Sequence, residues 1–153
     1  SSGYRVVHKD GKDTYVPFSP GSVLFDGPAK IASVGTIKYF GYRFCMFPFA
    51  MKKEGYMHLR VASCPTATYI KKLPSLWSGS FRHPKLHDFL VKDVTFKSHE
   101  PLPYQLGGDA QGSHKELSFT TSSSPIAMRM LSKQRLFPSA AKRVKGILLG
   151  ARA

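Results

Sequence analysis

Short segments of alternating hydrophobic and polar residues recur along the chain and predict β-strands. The clearest alternation covers residues 56–61, where Met57, Leu59 and Val61 share one face, and a second covers residues 91–98. Aromatic residues favour a further strand between Tyr39 and Phe49. The same criteria predict strands at residues 4–7, 23–25, 31–37, 117–120 and 126–131.

Helices are the minor part of the prediction. One begins at Cys64-Pro65-Thr66, because proline is common in the first turn of a helix. We expect Pro74 to end or kink it, with Gly79 just beyond as a stop signal. A second candidate helix covers residues 139–149 and has an apolar stripe. Many short strands with one or two helices predict a mainly-β domain, either a sandwich or an open barrel.

The length of 153 residues suits one domain with a buried core. We expect residues 1–20 to form a polar leader, residues 21–131 the β-domain, and residues 132–153 a basic, amphipathic C-terminal tail. The opening Ser1-Ser2-Gly3 fits either an expression-tag remnant or the start of a fragment of a longer protein.

Charge narrows the classes of partner. The formal net charge is +14, which favours nucleic acid, phosphates or an anionic membrane surface. Half of this charge follows Glu116, the last acidic residue, and therefore lies towards the C-terminus. No stretch approaches the ~20 apolar residues of a membrane span, and no secretory signal is visible.

Few residues have the spacing of a metal or catalytic site. Cys45 and Cys64 fit buried positions in a reducing compartment, and none of the six histidines lies at zinc-ligand spacing from them. We therefore predict no metal site. Phosphate-binding loops and nucleophile elbows are also absent from the sequence.

Asp109 is the acidic residue in the most suggestive context. It follows Gly107 and Gly108 after a strand-like segment, where the backbone can closely approach a ligand. The alternative is an ordinary Gly-Gly hairpin turn with Asp109 in solvent. The local sequence alone favours this alternative, because such hairpins are common.

Residues 23–131 resemble the C-terminal domain of the diacylglycerol kinase and sphingosine kinase superfamily of lipid kinases. Several landmarks occur in the family's order. Residues 47–50 resemble its "P-x-A" segment, and residues 54–61 resemble its "D-G-x-L-x-V" strand. Residues 73–79 resemble the end of its leucine-rich helix, and residues 105–109 resemble its Asp-Gly-Glu turn.

This resemblance implies a β-sandwich-like domain that binds the lipid substrate of a kinase. The kinase would transfer phosphate from ATP, with Mg²⁺, to a lipid hydroxyl of the diacylglycerol or sphingoid type. Asp109 would stand where the family has its catalytic Glu, with Gly107 and Gly108 near the nucleotide. The family's first Asp in this turn is replaced by Gly107. Lys53 stands where bacterial members often have an acidic residue that helps bind a structural magnesium, so that site is not expected here.

The family's glycine-rich nucleotide loop lies in a preceding domain and is absent from this chain. We therefore expect the chain alone to be inactive and to need a missing N-terminal nucleotide-binding domain. The resemblance also implies a cytoplasmic protein bound peripherally to membranes. Lys142, Arg143 and Lys145 would contact an anionic membrane surface. Alternatively, the tail helix packs on its own domain or on the missing one.

Two other functions remain open from the sequence. A non-catalytic lipid-binding relative fits the altered turn at Gly107. A basic nucleic-acid-binding β-domain fits the charge, with Tyr39, Phe40, Tyr42 and Phe44 as a stacking face. Alternating aromatic residues in a strand are more often core, however, and no RNA-binding motif is visible. Nucleic acid is therefore the less favoured partner.

Overall fold

The computed structural model describes residues 2–122. The predicted strand at residues 126–131 and the tail at residues 132–153 lie outside the described residues. The described part is mainly β, as the sequence predicted, with two short helices. In chain order, the elements are β1 (Gly3–Lys9), β2 (Lys12–Phe18), β3 (Ile31–Gly35), β4 (Met57–Ala62), α1 (Thr66–Lys71), α2 (Leu73–Trp77), β5 (Leu86–Val91), β6 (Asp93–Leu106) and β7 (Asp109–Thr120).

The strands form two antiparallel sheets. The larger has five strands in the order β2-β1-β5-β4-β3, and the smaller is the β6-β7 hairpin. Strand β1 pairs with β5 over three residues, from Tyr4 opposite Leu90 to Val6 opposite Asp88. The hairpin at residues 3–18 is therefore part of the main sheet, whereas the sequence predicted a leader over residues 1–20 before the β-domain. Its sheet partner lies far away in the sequence, so local composition did not reveal it.

The hydrophobic core lies on one face of the two central strands. It consists of Met57, Leu59 and Val61 from β4 with Phe89 and Val91 from β5, all almost fully buried. This confirms the face predicted for residues 56–61. Side chains from the base of the β6-β7 hairpin pack against the same core, and so do side chains from β2, β3 and the loop after β2: Val94, Phe96, Phe119, Phe18, Val34, Leu24 and Phe25.

The strand predicted between Tyr39 and Phe49 is absent, because the segment turns back on itself. Tyr42 and Arg43 have positive φ angles of 41° and 61°, which an extended strand does not allow. The turn is closed by the Phe44 N–H, which donates to the Gly41 carbonyl at 2.8 Å. The following residues instead form a loop that covers the second face of β4.

The helical prediction is confirmed in its main features. Pro65 occupies the N-cap position of α1, and Pro74 lies in the first turn of α2. The Lys72 N–H donates to the Thr68 carbonyl, and the Leu76 N–H donates to the Lys72 carbonyl, so helical turns continue across the junction. Gly79 then adopts a φ of 75°, as expected of a residue that stops a helix.

Candidate functional site

The Gly107-Gly108-Asp109 turn lies at the tip of the long β6-β7 hairpin. Both glycines have positive φ, at 61° and 102°, and Leu106 pairs directly with Asp109 across the turn. All three turn residues are exposed. The structure thus has the Gly-Gly hairpin that the sequence favoured, with the Asp109 side chain at the surface. The other side chains in the site prediction, Lys142, Arg143 and Lys145, lie outside the described residues.

A buried polar cluster lies on the second face of the central strands. Asp88 on β5 is opposite Arg60 on β4, and its carboxylate accepts hydrogen bonds from Arg60 Nε at 2.7 Å and Nη2 at 3.1 Å. His58 Nε2 donates to the same carboxylate at 2.8 Å. These three side chains alternate with the core residues of β4 and β5, so the central strands carry an apolar face and an ionic face.

The loop after β3 covers this ionic face. Phe47 and Phe49 make edge contacts with the His58 ring, with centroids 5.7 and 5.2 Å away. Arg60 Nη1 donates to the Met46 carbonyl at 2.8 Å, which anchors the loop. As a result, His58, Arg60 and Asp88 are at most 5% exposed.

Burial and hydrogen bonding set the charges in this cluster. Burial alone would raise the pKa of Asp88, but the hydrogen bonds from His58 and Arg60 lower it to about 2. Burial lowers the pKa of His58 and outweighs the opposing effect of Asp88. Near neutral pH the cluster is therefore an Arg⁺–Asp⁻ pair with a neutral histidine. Because no atom of His58 faces solvent, the cluster is suited to holding the sheet together rather than to proton transfer with a substrate.

An open cavity of about 410 Å³ lies beside the cluster, where β1 and β5 separate after their three paired residues. Its size is within the range of small-ligand pockets. Its walls combine basic, acidic and apolar side chains: Arg5, Val6, Val7, His8, Asp13, Phe49, Arg82, His83, Pro84, Leu86, His87 and Asp88.

The charged groups of this cavity are already engaged with protein atoms. Arg82 binds Asp13 through Nη2 at 3.1 Å, and it also donates to the Gly79 and Phe81 carbonyls. His8 Nδ1 lies 2.9 Å from Asp13, and Arg5 donates to the Leu24 carbonyl. Burial would raise the pKa of Asp13, but hydrogen bonds from Arg82 and His8 hold it below its usual value. Among residues 2–122, the cavity therefore offers no cluster of unpaired cations for a phosphate.

One contact between a cysteine and a histidine side chain was not predicted from the sequence. Cys64 Sγ lies 3.3 Å from His83 Nδ1, which also accepts a hydrogen bond from the Lys85 N–H. Cys64 is fully buried, whereas reactive cysteines are partly exposed, so this contact is structural. Within residues 2–122, no three His, Cys, Asp or Glu side chains are placed to hold a metal ion.

No family model, curated protein or solved structure matches this chain. Neither α1 nor α2, the helices of the described part, has the length and hydropathy of a membrane-spanning segment.

Sequence reasoning missed the ionic cluster, although one signal was available. His58 and Arg60 alternate with apolar residues in β4, which by itself is typical of a strand with one face in water. Asp88 lies in a strand whose other residues, apart from His87, are apolar, and an acid among such residues indicates a buried partner. Only the pairing of β4 with β5 identifies Arg60 as that partner.

Proposed function

We propose that this chain is the lipid-substrate half of a kinase that transfers phosphate from ATP to a lipid hydroxyl. The observation that carries the proposal is the strand–turn–strand setting of Gly107, Gly108 and Asp109. This is the setting that the resemblance to the diacylglycerol and sphingosine kinase superfamily requires of its Asp-Gly-Glu turn. The mainly-β fold and the turn before β4, at Glu54-Gly55, agree with the same resemblance.

The exposure of Asp109 fits a shared active site. Phosphoryl transfer depends on placing the hydroxyl, the phosphate and a carboxylate together, with little covalent work by the protein. If the nucleotide is bound by another domain, the carboxylate must project from this one. At the tip of a two-stranded hairpin Asp109 meets that requirement, and the glycines beside it leave room, since an added Cβ at either would meet no atom within 4 Å.

Asp109 would orient or deprotonate the lipid hydroxyl, and Gly107 and Gly108 would lie near the nucleotide. ATP and Mg²⁺ would be held by the nucleotide-binding domain, since the described residues contain no metal cluster of their own. The chain by itself would then lack kinase activity. Because Gly107 replaces the family's first Asp, Asp109 would be the single carboxylate of this turn.

The experiment is an Asp109→Asn variant of the polypeptide that includes the nucleotide-binding domain. Transfer of labelled phosphate from ATP to diacylglycerol or sphingosine in mixed vesicles should fall about 100-fold or more, the usual loss when a general base is removed. Folding should be unchanged, because the side chain is exposed. The matched control is Glu116→Gln, an exposed acid on the same hairpin.

The control should retain activity within about twofold, because Glu116 forms only a surface ion pair with Lys97. Full activity of Asp109→Asn would refute the assignment. Absence of transfer in the wild type, with retained binding to lipid vesicles, would instead identify the non-catalytic lipid-binding relative.

A further inference from the structure

A second surface combines exposed apolar side chains with positive charge. We define the apolar patch as the large hydrophobic residues that remain exposed between residues 37 and 42 and along α1 and α2. None of them belongs to the core cluster. Its members are Ile37, Tyr39, Phe40, Tyr42, Ile70, Leu73 and Trp77.

The two parts of the apolar patch are attached to each other. The Phe44 ring packs against Trp77 with centroids 5.4 Å apart, and the Cys45 N–H donates to the Trp77 carbonyl at 2.9 Å. Gly79 completes the contact, because a Cβ there would lie only 2.6 Å from Cys45 Sγ. The base of the loop is thus fixed on the end of α2.

The loop presents its aromatic residues outward. The Phe40 N–H donates to the Phe44 carbonyl, so residues 40–44 form a closed turn. Tyr42 at its tip is 95% exposed, which is unusual for a large aromatic side chain. On the helical side, Ile70, Leu73 and Trp77 have the spacing of residues on one helical face. Exposed apolar groups collected in this way indicate an interaction surface.

The charge around the apolar patch has one sign. Residues 27–87 contain ten Lys and Arg residues and a single acidic residue, Glu54. Within this stretch Lys38 and Arg43 flank the loop residues, while Lys71 and Lys72 are exposed at the junction of α1 and α2. None of these four makes an ion pair within residues 2–122. The surface therefore complements an anionic partner.

We propose that the apolar patch and its four cations dock the protein on an anionic membrane surface. Aromatic side chains favour the headgroup region, and each Lys or Arg near such a surface strengthens binding roughly fivefold. Nucleic acid fits less well, because Ile37, Ile70 and Leu73 offer bases no ring to stack on. The inference does not need the proposed kinase activity and is separate from the C-terminal tail.

The charge is tested by co-sedimentation of the full 153-residue chain with vesicles containing phosphatidylserine. Lys71→Gln with Lys72→Gln should weaken binding about tenfold or more. The matched control is Lys97→Gln with Lys115→Gln on the β6-β7 hairpin, which lowers the net charge equally on other elements. The control should bind within about threefold of the wild type. An equal loss in both would show a general charge effect and overturn the proposal.

The apolar contribution is tested with Phe40→Ser and Tyr42→Asn together. Asparagine tolerates the positive φ of residue 42, so the turn is preserved. Binding should fall about tenfold, as expected when two aromatic groups no longer reach the lipid. The control is Val23→Ser with Leu102→Ser, which removes two exposed apolar side chains from other elements.

Several outcomes would contradict the proposal. Wild-type binding by both patch variants would overturn it, and loss of binding only on removal of residues 132–153 would assign the membrane contact to the tail. Patch variants that change the oligomeric state or a salt-dependent gel shift with single-stranded RNA, but leave vesicle binding intact, would assign the surface to another partner. Patch-specific loss of binding to anionic vesicles, with weak binding to neutral ones, would support it.

Discussion

The buried Asp88 carboxylate links the two central strands, since it lies on β5 and accepts hydrogen bonds from side chains on β4. It accepts three hydrogen bonds, two from Arg60 and one from His58, at 2.7 to 3.1 Å. In Asp88→Asn the new amide N–H₂ would point at one of these donors, and the Arg60 guanidinium would lose its counter-charge in a site that is 2% exposed. The substitution changes the side chain little in size, so the effect is electrostatic.

Two values bracket the loss of unfolding free energy expected for Asp88→Asn. The fall in the Asp88 pKa from 3.8 to about 2 corresponds to roughly 2 kcal/mol of preference for the charged form in the folded state. Removing one member of a buried ion pair costs about 3–5 kcal/mol, because the other charge remains unpaired. We therefore expect Asp88→Asn to lower the free energy of unfolding by about 3 kcal/mol.

Urea unfolding, followed by far-UV circular dichroism and by the fluorescence of the single tryptophan, Trp77, measures this loss. A double-mutant cycle supplies the control. Arg60→Met and Asp88→Leu should each destabilise strongly, whereas the two substitutions together should recover part of the loss, because no buried charge is left alone. A loss below about 1 kcal/mol for Asp88→Asn, or additive effects within about 0.5 kcal/mol, would refute the ionic account.

Acid should destabilise the domain in two stages. The first lies below pH 6.5, because His58 takes up a proton in the unfolded chain more readily than in the folded one. The second lies between about pH 4 and pH 2, where Asp88 becomes protonated and loses its charge. Urea titrations at stepped pH should show that His58→Phe reduces the first loss; an unchanged upper stage would contradict the role of His58. Gly79→Ala should cost about 1–3 kcal/mol more than Gly112→Ala, because both residues have positive φ but only the first would place a methyl group against Cys45. Equal thermal shifts for the two variants would exclude that contact.

The fold prediction was correct for elements whose structure is determined by residues close together in the sequence. The alternation in β4 identified the core face, and the turn of the β1-β2 hairpin lies at Asp10-Gly11, a dipeptide typical of such turns. Gly107-Gly108 likewise marked the turn between β6 and β7. In each case the deciding interaction is within the strand or between close neighbours in the sequence.

Prediction failed where a distant segment decides the structure. The aromatic residues between Tyr39 and Phe49 have strand propensity, but the loop is favoured because Phe47 and Phe49 cover His58. The turn also requires positive φ angles at Tyr42 and Arg43. Tyrosine and arginine rarely adopt such angles, so the sequence does not indicate the turn. Tertiary contacts override local propensity in such segments.

The ion pairs in the structure change the interpretation of the positive charge. Arg60 is neutralised by Asp88 inside the sheet, and Arg82 is paired with Asp13 at the open cavity, so these cations serve the fold. Lys38, Arg43, Lys71 and Lys72 have no such acid partner within residues 2–122 and lie next to exposed apolar residues in the sequence. A large net charge alone favours any polyanion. Charge left unpaired next to apolar groups favours a partner that is anionic and apolar at once, and the surface of an anionic lipid bilayer has both properties.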